Sequence, residues 1–185
     1  MLKKNFFGYN FFVVLTIISL LPGMASAATL NNLVPTADGT YTDFNPNPAG
    51  SHYTNVDDSN CGDGEYNWTT TLNDIDSYKV DISSIAGNTI NAIKIHTCAS
   101  SGNTDNGQSS LQLFYRWNGT NGPLSAHQTF YCSHNNPDWG ASSTFSGLSL
   151  SVDALSSLEI GAIYSSSTPS NCGVKIGAIK ADVTY

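Results

Sequence analysis

The chain has 185 residues, only 11% of them charged, and its 7 Lys and Arg against 14 Asp and Glu leave a formal net charge of −7. That balance excludes nucleic acid and anionic membrane surfaces as partners. An apolar content of 40% excludes a disordered tail, and the sparse charge amid abundant Ser, Thr, Asn and Gly suits an extracellular β protein.

Lys3 and Lys4 precede the apolar run Phe11–Leu21, broken only by Thr16 and Ser19, and Pro22-Gly23 then leads into Ala25-Ser26-Ala27. The order of basic, apolar and small residues predicts a secretory signal peptide over 1–27, cleaved after Ala27. The apolar run is short for a membrane span, so no membrane association is expected after cleavage. Residues 28–185 are then a single secreted domain, extracellular or periplasmic. All four cysteines, Cys61, Cys98, Cys132 and Cys172, fall within it. None forms a CxxC pair and no His completes a zinc motif, so an even count in an exported chain predicts two disulfides.

Thr29–Val34 reads as a first strand ending at Pro35, followed by a turn at Ala37-Asp38-Gly39 and a loop through Pro46 and Pro48. A long polar loop, His52–Glu65, carries Asp57, Asp58, Cys61, Asp63 and Glu65. Trp68, Thr70 and Leu72 mark the second strand, Ser77–Ile82 the third and Ile90–Cys98 the fourth. After a Gly- and Asn-rich loop over 100–108, Leu111, Leu113, Tyr115 and Trp117 give the clearest period-two run in the chain. Leu124–Cys132 is the sixth strand, and His134–Ser146 reads as the longest loop. Asp153 is placed to cap one helical turn. Ile160, Ala162 and Tyr164 form the seventh strand. The eighth, Val174–Tyr185, changes phase after Ala178, which predicts a bulge there. Eight short strands with turn signals between them indicate an all-β, antiparallel sandwich or barrel, and eight is the number in a jelly roll.

Several stretches add to this. Pro35-Thr36-Ala37-Asp38-Gly39-Thr40, Val56-Asp57-Asp58, Asp76-Ser77-Tyr78, Leu158-Glu159-Ile160-Gly161 and Ile179-Lys180-Ala181-Asp182-Val183-Thr184-Tyr185 resemble the jelly-roll modules of secreted, cell-surface and phage-tail proteins. These belong broadly with galactose-binding-like and carbohydrate-binding sandwiches. The chain departs from that pattern in having Phe44 where such modules often have Trp, and in its cysteines. The resemblance implies a jelly-roll β-sandwich and supports the fold more than any ligand.

In a roll of eight alternating strands, Cys61 and Cys172 lie in loops at one end, while Cys98 and Cys132 finish strands at the other. The expected pairing is therefore Cys61–Cys172 and Cys98–Cys132.

The residues that carry chemistry are few. Gly140-Ala141-Ser142-Ser143-Thr144 misses a nucleophile elbow at its last position. Glu65 and Glu159 are the two glutamates, and His52, His96, His127 and His134 are scattered. No coherent catalytic set emerges, and the chain is read as a non-enzyme. Asp57, Asp58, Asp63 and Glu65, with Gly62 and Gly64 between them, offer several oxygens of the kind calcium takes; a solvated acidic loop is the alternative. Loop aromatics Tyr53, Tyr66 and Trp139, with Asp138 beside them to bond hydroxyls, are candidate sugar contacts, whereas Leu111, Leu113, Tyr115 and Trp117 read as core. Asn67-Trp68-Thr69 and Asn118-Gly119-Thr120 match the N-glycosylation sequon, Asn118 in its turn being the better acceptor. The reading is a secreted, non-catalytic binding module for carbohydrate or a cell-surface glycan, with calcium as its candidate cofactor. The competing class is a self-associating structural protein, in which the first strand exchanges between copies.

Overall fold

A computed structural model describes residues 27–58, 61, 63–101, 108–131, 138–168 and 172–185. The predicted signal peptide, save Ala27, lies outside the described residues, as do Cys132 and His134. The strands are β1 (Thr29–Leu33), β2 (Pro35–Thr42), β3 (Asn45–Asn47), β4 (Tyr66–Thr69), β5 (Ile75–Val80) and β6 (Thr89–Ser101). They continue with β7 (Gln108–Trp117), β8 (Thr120–Asn121), β9 (Gln128–Tyr131), β10 (Asp138–Ser151), β11 (Leu158–Thr168) and β12 (Val174–Thr184). Two antiparallel sheets result. One has the order β10-β6-β12-β4-β3 with β1 on β12; the other has β2-β5-β11-β7-β8 with β9 on β7.

Eight of these strands interleave as a jelly roll. β4, β12, β6 and β10 make one four-stranded layer and β5, β11, β7 and β9 the other, so the chain crosses between layers at every step except β7 to β9. The fold is thus an all-β, disulfide-bonded jelly-roll sandwich. β1, β2 and β3 precede the roll and extend its edges.

Period-two alternation supplies the core. Ile93 and Ile95 of β6, Leu111 and Leu113 of β7, Leu158, Ile160 and Tyr164 of β11, and Val174, Ile176, Ile179, Ala181 and Val183 of β12 are all fully buried between the layers. The bulge expected in β12 is present, with its register against β6 shifting between Ile176 and Ala178. On the far edge of β12, β4 pairs with residues 174–176 and β1 with residues 181–184. Val56 closes part of the gap between them, its carbonyl accepting from Ile179 N–H at 3.1 Å. β1, the strand suited to exchange between copies, is here paired within its own chain.

Four readings of the chain are corrected. Ala37-Asp38-Gly39 is not a turn but the middle of β2, which lies along β5. Gly39 is required there by close approach, since a Cβ on it would sit 2.6 Å from the carbonyl carbon of Ser77. The loop expected over His134–Ser146 is strand β10 from Asp138 onward, paired along β6. Its alternation is hidden because two register shifts break the period, one between Asp138 and Ala141 and one between Ser146 and Leu150. The sixth strand is shorter than Leu124–Cys132: Leu124 is exposed, and the preceding Pro123 has no N–H to give a ladder. Asp153 caps a turn rather than a helix, accepting from Leu155 N–H at 2.8 Å.

The disulfide pairing is corrected as well. Cys61 bonds Cys98, with Cα atoms 5.6 Å apart, so neither Cys61–Cys172 nor Cys98–Cys132 forms. Cys172 is itself disulfide-bonded. The expectation placed Cys98 at the end of its strand, but β6 runs on to Ser101. Ile95, Thr97 and Ala99 face the core, so Cys98 faces away from it and is bridged by a loop folded over the sheet.

Candidate functional site

The outer face of the β10-β6-β12-β4 layer gathers most of the predicted residues. Lys94, His96, Cys98 and Ser100 alternate with the inward residues of β6, and Lys175, Lys180 and Asp182 with those of β12. Register sets Asp182 opposite Lys94, Lys180 opposite His96 and Lys175 opposite Ser100. Two aromatic rings join this face from the flanking strands. Lys175 Nζ lies 4.7 Å from the ring centroid of Tyr66 on β4, and Lys180 Nζ lies 4.2 Å from that of Trp139 on β10. Trp139 keeps 36% of its surface exposed. Tyr66 and Trp139, expected on loops, are therefore held on strands. Asp138 begins β10 beside Trp139. Tyr53 does not join them: it sits in a short 3-10 turn, Tyr53–Asn55, and packs against the core.

The acidic loop lies over this face. Cys98 and Ser100 point outward yet are fully buried, and the bridge to Cys61 draws the loop down onto Cys98. Asp58, Asp63 and Glu65 bring one oxygen each within 4.8 Å of one another. Asp57 is outside that cluster. Gly64 turns the backbone at φ +103°, and Glu65 N–H donates to Asp63 Oδ1 at 2.9 Å. A hydrogen bond donated by its protonated form to Asp63, with burial and the neighbouring charges, pushes the Asp58 carboxyl up to about 6. The same bond holds Asp63 below its ordinary range. Burial raises Asp57.

The root of the loop is fixed from inside the sandwich, a feature with no sequence signal beyond an Asp in a strand. Asp76 of β5 is fully buried and accepts from His52 Nδ1 at 3.0 Å, Tyr78 Oη at 2.7 Å and Asn67 Nδ2 at 3.2 Å. Asn67 Nδ2 also reaches His52 O at 2.8 Å, and Asn55 Nδ2 donates to Pro48 O at 2.9 Å and Asn67 Oδ1 at 3.3 Å. Asn67 is thus a fully buried structural residue with no room for a glycan, which corrects its reading as an acceptor. Asn118 stands exposed in its turn at φ +45°.

The opposite face carries a separate polar cluster. Glu159 accepts from Thr40 N–H at 2.9 Å, Ser77 Oγ at 2.9 Å and Arg116 Nη1 at 3.1 Å. Burial acts to raise its carboxyl, but these donors outweigh burial and hold it below the ordinary range. Glu65 and Glu159 therefore lie on opposite sides of the sandwich and cannot flank one glycosidic bond. A cleft of about 510 Å³ opens beside Lys79–Ser83 and Asp153–Leu158. No aromatic ring lines it, and its carboxylates are engaged, Asp81 by Ser83 N–H and Asp153 by Leu155 N–H.

No protein-family model matches the sequence, and no curated protein sequence matches it significantly. Among solved structures, the chain is similar to the CBM36-1 domain of a multidomain xylanase from the hindgut metagenome of Trinervitermes trinervoides. That likeness has 12% identity and a TM-score of 0.38, and spans 86% of this chain and 97% of that one.

Proposed function

We propose that the chain is a secreted, non-catalytic binding module that takes carbohydrate on the outer face of the β10-β6-β12-β4 layer. The observation that carries this reading is the placement of Tyr66 and Trp139, from strands at opposite sides of the layer, on one rigid face beside a clamped polar loop. Such rings stack on the C–H faces of pyranose rings while neighbouring polar groups, Asp138 among them, bond the hydroxyls. The cluster of Asp58, Asp63 and Glu65 fits calcium by its donor chemistry: three close carboxylates suit a hard cation that takes oxygen ligands, and a cation removes their mutual repulsion. Calcium there would order the loop over the sheet.

Two measurements test this. On a glycan array, Trp139→Ala is expected to weaken binding at least tenfold while leaving the melting temperature within a few degrees of wild type, because a part-exposed ring leaves no closed cavity. Unchanged binding in that variant overturns the site. Excess calcium is expected to raise the melting temperature over chelator by mass action, and Asp63→Asn to abolish the rise. Coincident melting curves overturn the metal assignment. Size-exclusion chromatography separates this reading from self-assembly: polymers formed without ligand would favour the structural protein.

A further inference from the structure

We infer that the ligand of this face is an acidic polysaccharide, one carrying carboxylates such as uronate units, rather than a neutral glycan. The inference rests on the proposed carbohydrate-binding reading and names its substrate class. Basic residues are scarce here: Lys79, Lys94, Arg116, Lys175 and Lys180 are all that residues 28–185 contain. Three of them, Lys94, Lys175 and Lys180, point from the outer face that carries Tyr66 and Trp139. Arg116 lies on the other layer and is neutralised by Glu159.

Lys175 and Lys180 are half-buried, yet among the residues whose side chains are described neither has a carboxylate within salt-bridge distance. Each ammonium rests on a ring face instead. A part-desolvated cation held by a π face lacks the anion that would compensate it best. Four acids near this face, Asp182 and the Asp58, Asp63 and Glu65 cluster, are otherwise committed. Asp182 accepts from Asn32 N–H at 2.9 Å and pairs with His96 at 3.0 Å, and Lys94 adds to the field that holds it ionised. Asp58, Asp63 and Glu65 have one another, and calcium on the proposed reading.

An incoming carboxylate would draw each ammonium off its ring and uncover that ring for stacking. Lys175 and Lys180 are set opposite Ser100 and His96, four residues apart on β6 and so about 13 Å along the strand. One monosaccharide cannot reach both, so the ligand is a chain with repeated acidic units.

The test uses the full secreted chain in calcium, titrated calorimetrically with oligogalacturonate and with an uncharged galacto-oligosaccharide of equal length. Oligogalacturonate is expected to bind at least tenfold more tightly, and its affinity to fall with added salt. The Lys175→Met, Lys180→Met double variant keeps the aliphatic stems; it is expected to lose that preference while melting at the wild-type temperature. Equal affinity for the two sugars, or an unchanged preference in the double variant, overturns the inference and leaves the carbohydrate reading standing. Binding of neither sugar, together with a blank glycan array, overturns both.

Discussion

Asp76→Ala is expected to lower the unfolding free energy by about 3–5 kcal/mol in a denaturant titration, because it strips a buried hub and leaves its donors unpaired. Those donors are Tyr78 Oη, Asn67 Nδ2 and His52 Nδ1, each bonded to a carboxylate with no solvent exposure. Asp76→Asn keeps the shape and one acceptor oxygen, so it is expected to cost markedly less. A loss below about 1 kcal/mol in the alanine variant would mean that water replaces the carboxylate and that the hub is not what fixes the loop root.

The same residue sets a pH dependence. Burial pushes its carboxyl up to about 6, against the opposing hydrogen bonds of His52 and Tyr78. Between the unfolded value of 3.8 and the folded value near 6, the native state holds a proton that the unfolded chain has released. Stability from this group is therefore complete below pH 3.8 and is lost as pH rises through 6, by up to about 3 kcal/mol. Glu159 and Asp182, whose folded values are depressed, act in the opposite sense, their contribution being lost as pH falls through those values. The difference between wild type and Asp76→Asn isolates the Asp76 part. It should narrow the wild-type advantage as pH rises from 4 to 6; a difference independent of pH would contradict the assignment.

Removing the Cys61–Cys98 bridge by a Cys61→Ser, Cys98→Ser double substitution is expected to cost about 4 kcal/mol, from the entropy regained by an unfolded chain no longer closed over that loop. The two cysteines are 37 residues apart. The bridge also holds the acidic loop onto the sheet, so its loss should abolish the calcium-dependent rise in melting temperature. A non-reducing peptide map is expected to join Cys61 to Cys98 and to leave Cys132 as the partner of Cys172. A peptide joining Cys61 to Cys172 would overturn the pairing.

Much of the architecture is legible in the sequence. The alternation in β6, β7, β11 and β12 marks which side of each strand is apolar, and the phase change after Ala178 marks the bulge, because side chains of a strand point alternately to its two faces. What alternation cannot state is which strands become neighbours, or what covers the outward side. Cys98 reads as a residue near a strand end until the loop is seen to fold over β6 and make it a tether. Asp76 reads as one more polar residue until His52, Asn67 and Tyr78 converge on it. Tyr66 and Trp139 are far apart in sequence and stand on one face only because β12 and β6 lie between their strands. These pairings join segments distant along the chain, so the choice among them rests on how whole layers pack. A local pattern of side chains fixes a strand's faces, and only the assembled sandwich fixes what each face meets.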